Sequence, residues 1–142
     1  MNETTKEIDN VQKQTAHDVF AKVPYLKLIG MELVDLKKGE AILRLKMRDE
    51  LRQPHGLLHG GATASVIDTA MAFAVVSILE SDEKASTVDL TVHYLRPVMQ
   101  GAIVCTAKVV KAGKRLLTVS AEVVNDEEKL IATALSTYAK IQ

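Results

Sequence analysis

The stretch Leu58–Glu80, LHGGATASVIDTAMAFAVVSILE, decides the fold. It opens on His59-Gly60-Gly61, then turns to alanine and aliphatic side chains. Between Leu58 and Leu79 it carries one charged residue, Asp68. Glycines at the first turn followed by strong helix formers predict a helix whose N-terminal end stays bare. Such a helix is apolar on nearly every side, so other elements are expected to surround it. A carboxylate in its middle needs a reason, because an unpaired buried charge is costly. We read the segment as a central buried helix that carries the chemistry.

The whole chain bounds what this helix belongs to. Its 142 residues fit one domain and suffice for a real core. The apolar fraction of 47% and the charged fraction of 25% are ordinary for a globular protein. Lys plus Arg equals Asp plus Glu, so no net charge draws the chain to nucleic acid or an anionic membrane. The sole cysteine, Cys105, excludes an intrachain disulfide framework and reads as a small buried hydrophobe in a reducing compartment. The N-terminus, MNETTKEIDN, is polar and mixed in charge, unlike a secretory signal. Asp68, the Gly-Gly pair and the lack of basic flanks argue against a membrane span for the apolar stretch. A cytoplasmic enzyme or binding domain is the expectation.

Outward from the helix, the pattern is mostly strand. Residues 1–12 are polar and expected to fray. Val19, Phe20 and Val23 fall at helical spacing, so a short amphipathic helix is expected over Thr15–Val23, stopped by Pro24. Residues 1–24 form an N-terminal segment and 25–142 the domain proper. Met31–Leu36 and Ala41–Met47 read as two strands, and Arg48–Leu58, with Pro54 and Gly56, as a loop into the helix. After the helix, Thr87–Arg96 alternates, with Val88, Leu90, Val92 and Tyr94 on one face and Thr87, Asp89, Thr91 and His93 on the other. Ala102–Lys111, Leu116–Val124 and Leu130–Ile141 follow with tight connections. Hairpin spacing means an antiparallel sheet, and one apolar helix beside one sheet is buried only if the sheet curls around it. The expected class is α+β, an antiparallel β-sheet wrapped around a long central helix.

The candidate chemistry starts at the helix N-terminus. There the free N–H of Gly60 and the macrodipole favour a developing negative charge, and glycine lets a carbonyl approach closely. That is what an oxyanion hole needs. Asp68, eight residues on, lies ~12 Å along the axis at the rise of an α-helix, too far to act on the same carbonyl. If the two cooperate, the carboxylate comes from a second copy of the chain.

The run Gln53-Pro54-His55-Gly56-Leu57-Leu58-His59-Gly60-Gly61, with Asp68 nine residues after His59, resembles the signature of PaaI-like hotdog-fold acyl-CoA thioesterases. Thr87-Val88-Asp89-Leu90 and Lys111-Ala112-Gly113-Lys114 resemble the same branch, and the likeness runs from about residue 25 to 140. The resemblance implies hydrolysis of an acyl- or aryl-coenzyme A thioester. Gly60 N–H would polarise the carbonyl, and Asp68 of the partner subunit would act as general base or nucleophile. Thr87 would orient the water, and His59 would fix the helix start. Gln53 stands where this family usually has Asn, with the same amide on a longer side chain. The turn Lys111, Ala112, Gly113, Lys114 and Arg115 would receive the phosphates or adenine of coenzyme A, with Gly61, Asp89 and Tyr94 as further substrate-binding candidates. A homodimer, with dimers pairing into a homotetramer, is implied, and no cofactor beyond coenzyme A as part of the substrate.

Plainer readings stand beside these. Asp68 alone could be a paired structural carboxylate, Thr87 an ordinary strand residue, and Lys111, Lys114 and Arg115 solvated charge. His55 and His59 are four apart, as metal pairs on helices are, yet Pro54 and Gly56 put His55 in a loop, so no metal is expected. His17 and His93 read as surface or sheet-face residues. Two other functions share the fold. A hydratase or dehydratase of this fold resembles its relatives in a catalytic His paired with Asp or Glu, whereas this helix carries no histidine after its start. A non-enzymatic acyl-CoA-binding module that regulates transcription would need a DNA-binding domain, and the residues before Pro24 are too few and too acidic for one.

Overall fold

The computed structural model describes residues 7–141, in the order α1 (Asn10–Lys22), α2 (Pro24–Ile29), β1 (Met31–Lys37), β2 (Glu40–Lys46), α3 (Gly60–Val76), β3 (Lys84–Tyr94), β4 (Ala102–Ala112), β5 (Leu116–Asn125) and β6 (Leu130–Ile141). The six strands form one antiparallel sheet in the order β1-β2-β4-β5-β6-β3. After β2 the chain crosses the concave face as α3 and returns as β3 at the far edge. This is the hotdog arrangement.

Alternation explains how the sheet holds the helix. Leu43, Leu45, Ile103, Cys105, Leu117, Val119 and Val123 recur at period two and are essentially inaccessible to solvent. They meet Val66, Ile67, Ala70, Met71 and Ala74 of α3, each 0% exposed. Alanines at 70 and 74 let the backbone approach the sheet, while Ile67 and Met71 fill the space between; full burial of such a large side chain stabilises by about 1.5–3 kcal/mol. Burial pushes the Cys105 thiol up to about 12, so the side chain packs as a neutral hydrophobe.

α3 is not enclosed on every side. Ser65, Asp68, Thr69 and Ala72 are half-buried, and Gly61 and Val76 exposed, along one stripe at helical spacing. One sheet covers only part of a helix's circumference, and the single charged residue lies on the part left open.

The N-terminal segment is more ordered than its polarity suggests. Residues 1–6 of the expected frayed stretch lie outside the described residues, but α1 already starts at Asn10 because Asp9 and Gln12 form a capping box. Pro24 ends α1 and opens α2 at its first turn, where its missing N–H costs nothing. Phe20 docks α1 onto the end of α3, its ring 5.4 Å from that of Phe73.

The start of α3 is fixed by His59, the N-cap, whose Nδ1 accepts from the Gly61 N–H at 2.8 Å. A Cβ on Gly61 would fall 2.9 Å from that nitrogen. Gly61→Ala is therefore expected to displace the imidazole and lose the cap, about 0.5–2 kcal/mol, measured by chemical denaturation.

At the other end of the sheet, Lys140 of β6 donates to Glu83 at 2.8 Å, and this contact holds the Glu83 carboxyl below its ordinary value of 4.5. A depressed carboxylate stabilises the fold above its unfolded value and stops doing so as pH falls through the folded one. The melting-temperature gap between wild type and Glu83→Gln is expected to be small at neutral pH and to close on acidification.

Candidate active site

The loop before α3 is held by its own hydrogen bonds. Arg52 donates to Gly56 O at 2.5 Å and Met99 O at 2.8 Å and pairs with Asp49 at 3.0 Å. Leu58 N–H reaches Val98 O and His59 N–H reaches Leu51 O, both at 2.8 Å. Gly56, at φ 84°, makes the tight turn that lets Gln53 bond Leu57 O and Gly56 N–H through its backbone. The Gln53 side-chain Oε1 accepts from His55 N–H.

This loop brings Gln53 beside Gly60. Both line a cavity of about 330 Å³ with Thr63, Tyr94, Arg96 and Val98. Tyr94 donates to Gly60 O at 2.9 Å, and its ring lies 3.4 Å from where a Gly60 Cβ would be, so it locks the first helical residue in place. Gly61 N–H is taken by His59, whereas among the described residues nothing accepts from Gly60 N–H. A helix N-terminus with one unpaired N–H at a cavity is suited to a carbonyl that gains negative charge. Thr63, 3% exposed, was not singled out by sequence; its place one turn after Gly60 is the signal that points to it.

Asp68 is elsewhere. Thr87 Oγ1 donates to its Oδ1 at 3.2 Å, and Tyr138 OH contacts its main-chain O at 3.2 Å and its Oδ1 at 3.3 Å. Strict alternation put Thr87 on the face of Asp89, and the structure corrects this. A bulge at Val88 pairs Thr87 with Tyr138 and Asp89 with Thr137, which turns Thr87 inward to the helix. Asp89 stays outside, accepting from Thr137 N–H at 2.7 Å, so it meets neither Gly60 nor Asp68. Burial raises the Tyr138 phenol well above its usual range, with Asp68 adding to the effect and Thr87 opposing it. No sequence motif marks Tyr138; only its register opposite Thr87 does.

The basic turn sits at the Asp68 end. Leu116 pairs Ala139 and Ala139 pairs Ser86, whereas Tyr94 pairs Ala132 at the other end of β3. Eight residues of strand, ~27 Å at the usual rise, therefore separate the Gly60–Tyr94 end from the Lys111–Arg115 end. Lys111, Ala112, Lys114 and Arg115 are exposed, and Gly113 closes the turn with its N–H on Leu116 O at 2.8 Å. A Cβ there would lie 2.9 Å from that oxygen. Within one chain, then, Gly60, Gln53 and Tyr94 form one group and Asp68, Thr87, Tyr138 and the basic turn another. Among the described residues no cluster of His, Cys, Asp and Glu could hold a metal, and no helix is long and apolar enough to cross a membrane.

Comparison with known proteins agrees with this architecture. Residues 55–132 match the model of the thioesterase superfamily. The acyl-coenzyme A thioesterase PaaI of Escherichia coli K12 is 30% identical over 84% of this chain and 84% of its own length. The medium/long-chain acyl-CoA thioesterase YigI of the same strain is 30% identical over 82% and 84%. Among solved structures, the conserved protein PA5202 of Pseudomonas aeruginosa superposes with a TM-score of 0.80 at 37% identity, covering 84% of this chain and 94% of that one. With the match spanning more than half of the chain and a relative 30% identical over 84% of both chains, the chain belongs to the thioesterase superfamily.

Proposed function

We propose that this protein hydrolyses acyl- or aryl-coenzyme A thioesters at a site shared between two copies, joining Gly60 of one to Asp68 of the partner subunit. The observation that carries the reading is the unpaired Gly60 N–H at a cavity whose own chain holds Asp68 ~12 Å further along the helix. The relatives named as acyl-CoA thioesterases support the substrate class.

The edge of β3 supports the second copy. It is an 11-residue strand at the end of the sheet, with no strand on its outer side among the described residues. A long open edge is a template for pairing, and a two-fold axis is the usual way to satisfy it. Antiparallel pairing of two such edges runs the Tyr94 end of one β3 along the Thr87 end of the other. Gly60 and its cavity then face the partner's Asp68 across the open stripes of two α3 helices, and the partner's basic turn comes to the same side. The two groups that one chain keeps apart become one site, with cations where the phosphates of coenzyme A would lie.

In this site the thioester oxygen accepts from Gly60 N–H, and the carbonyl carbon becomes electron-poor. The carboxylate either takes a proton as water attacks, or attacks itself to give a mixed anhydride that water then opens. The C–S bond breaks, and coenzyme A leaves as the thiolate and picks up a proton. In this reading Thr87 and the Gln53 amide orient the water or the carbonyl. Among the described residues of the same chain, the side chains that hydrogen-bond Asp68 are Thr87 and Tyr138.

Thiol release from a panel of acyl- and aryl-CoA esters tests this. Asp68→Asn is expected to lower kcat by about 10²–10⁴ without loss of folding, the usual worth of a general base. Gly60→Pro is the complementary test. It deletes the N–H at the first helical position, where proline is tolerated after the extended backbone of His59, and is expected to lower kcat by about 10²–10³. Undiminished thiol release by Asp68→Asn, or acyl-CoA binding without turnover in the wild type, would refute the reading.

A further inference from the structure

We propose that Tyr138 is a positioning residue for Asp68: its phenol and the Thr87 hydroxyl both point at Oδ1, so that Oδ2 is the atom presented to the reaction. This rests on the reading of Asp68 given above.

The geometry is specific. Thr87 Oγ1 stands 3.2 Å and Tyr138 OH 3.3 Å from the same oxygen, and the phenol proton is shared with the Asp68 main-chain O at 3.2 Å. No hydrogen bond from a described residue falls on Oδ2. A carboxylate held at one oxygen and at its own helix backbone has its rotation about the Cβ–Cγ bond restrained, which keeps the second oxygen directed at the open side of α3. Tyr138 is itself fixed, 3% exposed, with Leu117 paired on one side and Thr87 on the other. The bulge at Val88 makes this possible, because without it Thr87 would point away from the helix. The raised phenol stays protonated throughout the working range of pH, so it remains a donor while the carboxylate is charged.

A residue acting through Asp68 affects the chemical step and needs Asp68 to do so. Tyr138→Phe keeps the packed ring and removes only the hydroxyl. It is expected to lower kcat for an acyl-CoA ester about tenfold, as loss of a hydrogen bond to a charged group does, with KM within about twofold and the melting temperature within a few degrees. In the Asp68→Asn background the same substitution is expected to leave the residual rate unchanged. Thr87→Val, on the solvent side of the pair, is the independent arm if Tyr138→Phe folds poorly; it too should lower kcat while leaving KM. An unchanged kcat in a folded Tyr138→Phe, or an equal loss in the Asp68→Asn background, overturns the proposal. For a Tyr138→Phe that does not fold, an unchanged kcat in Thr87→Val overturns it. Full turnover by Asp68→Asn instead overturns the reading of the site itself, so the two failures are distinct.

Discussion

A helix is a rigid rod, and its first amide and a carboxylate eight residues later cannot meet on one carbonyl. In α3 these are the Gly60 N–H and Asp68, ~12 Å apart along the axis. The rest of the molecule answers that separation. The loop of Arg48–His59, tied down by Arg52, shapes a cavity at one end of the helix. The inner faces of β3 and β6 furnish hydroxyls at the other group. The sheet buries the side of the helix that does neither and leaves open the stripe on which Asp68 stands.

The same separation gives the free edge of β3 a meaning. Natural sheets blunt or cover an exposed edge; β3 carries one bulge, at Val88, and among the described residues no strand pairs with its outer side over its 11 residues. Pairing that edge with its own copy satisfies the backbone and, by reversing strand direction, brings unlike ends of the two helices together. A single contact would then supply both stability and the site. Stability and activity would be coupled in such a dimer, because loss of the partner would remove half of each proposed pair.

Much of the fold was legible in the residues. The glycines after His59, the alanine-rich run and the lone Asp68 mark the helix, its start and its one charged side chain, because helix propensity and the cost of a buried charge are local properties. Alternation in Ala41–Met47 and Leu116–Val124 marks inward and outward faces wherever pairing is regular. What escaped was set by register. The bulge at Val88 moves Thr87 to the opposite face from the one alternation assigns, and nothing in Thr87-Val88-Asp89 announces it. Tyr138 is 70 residues from Asp68, and only the pairing of β6 with β3 joins them. The capping box at Asp9 and Gln12 was readable in principle, but the polarity around it masked the start of α1.

The most direct test of the shared site is complementation between two inactive variants. Gly60→Pro and Asp68→Asn are each purified, unfolded, mixed in equal amounts and refolded together, and thiol release is compared with that of either alone. In a mixed dimer the Asp68→Asn chain contributes an intact Gly60 and the Gly60→Pro chain an intact Asp68, so one of its two sites is whole. Random pairing of such two-fold dimers then restores about a quarter of wild-type activity. A mixture no more active than its separate components would contradict a site built from two copies.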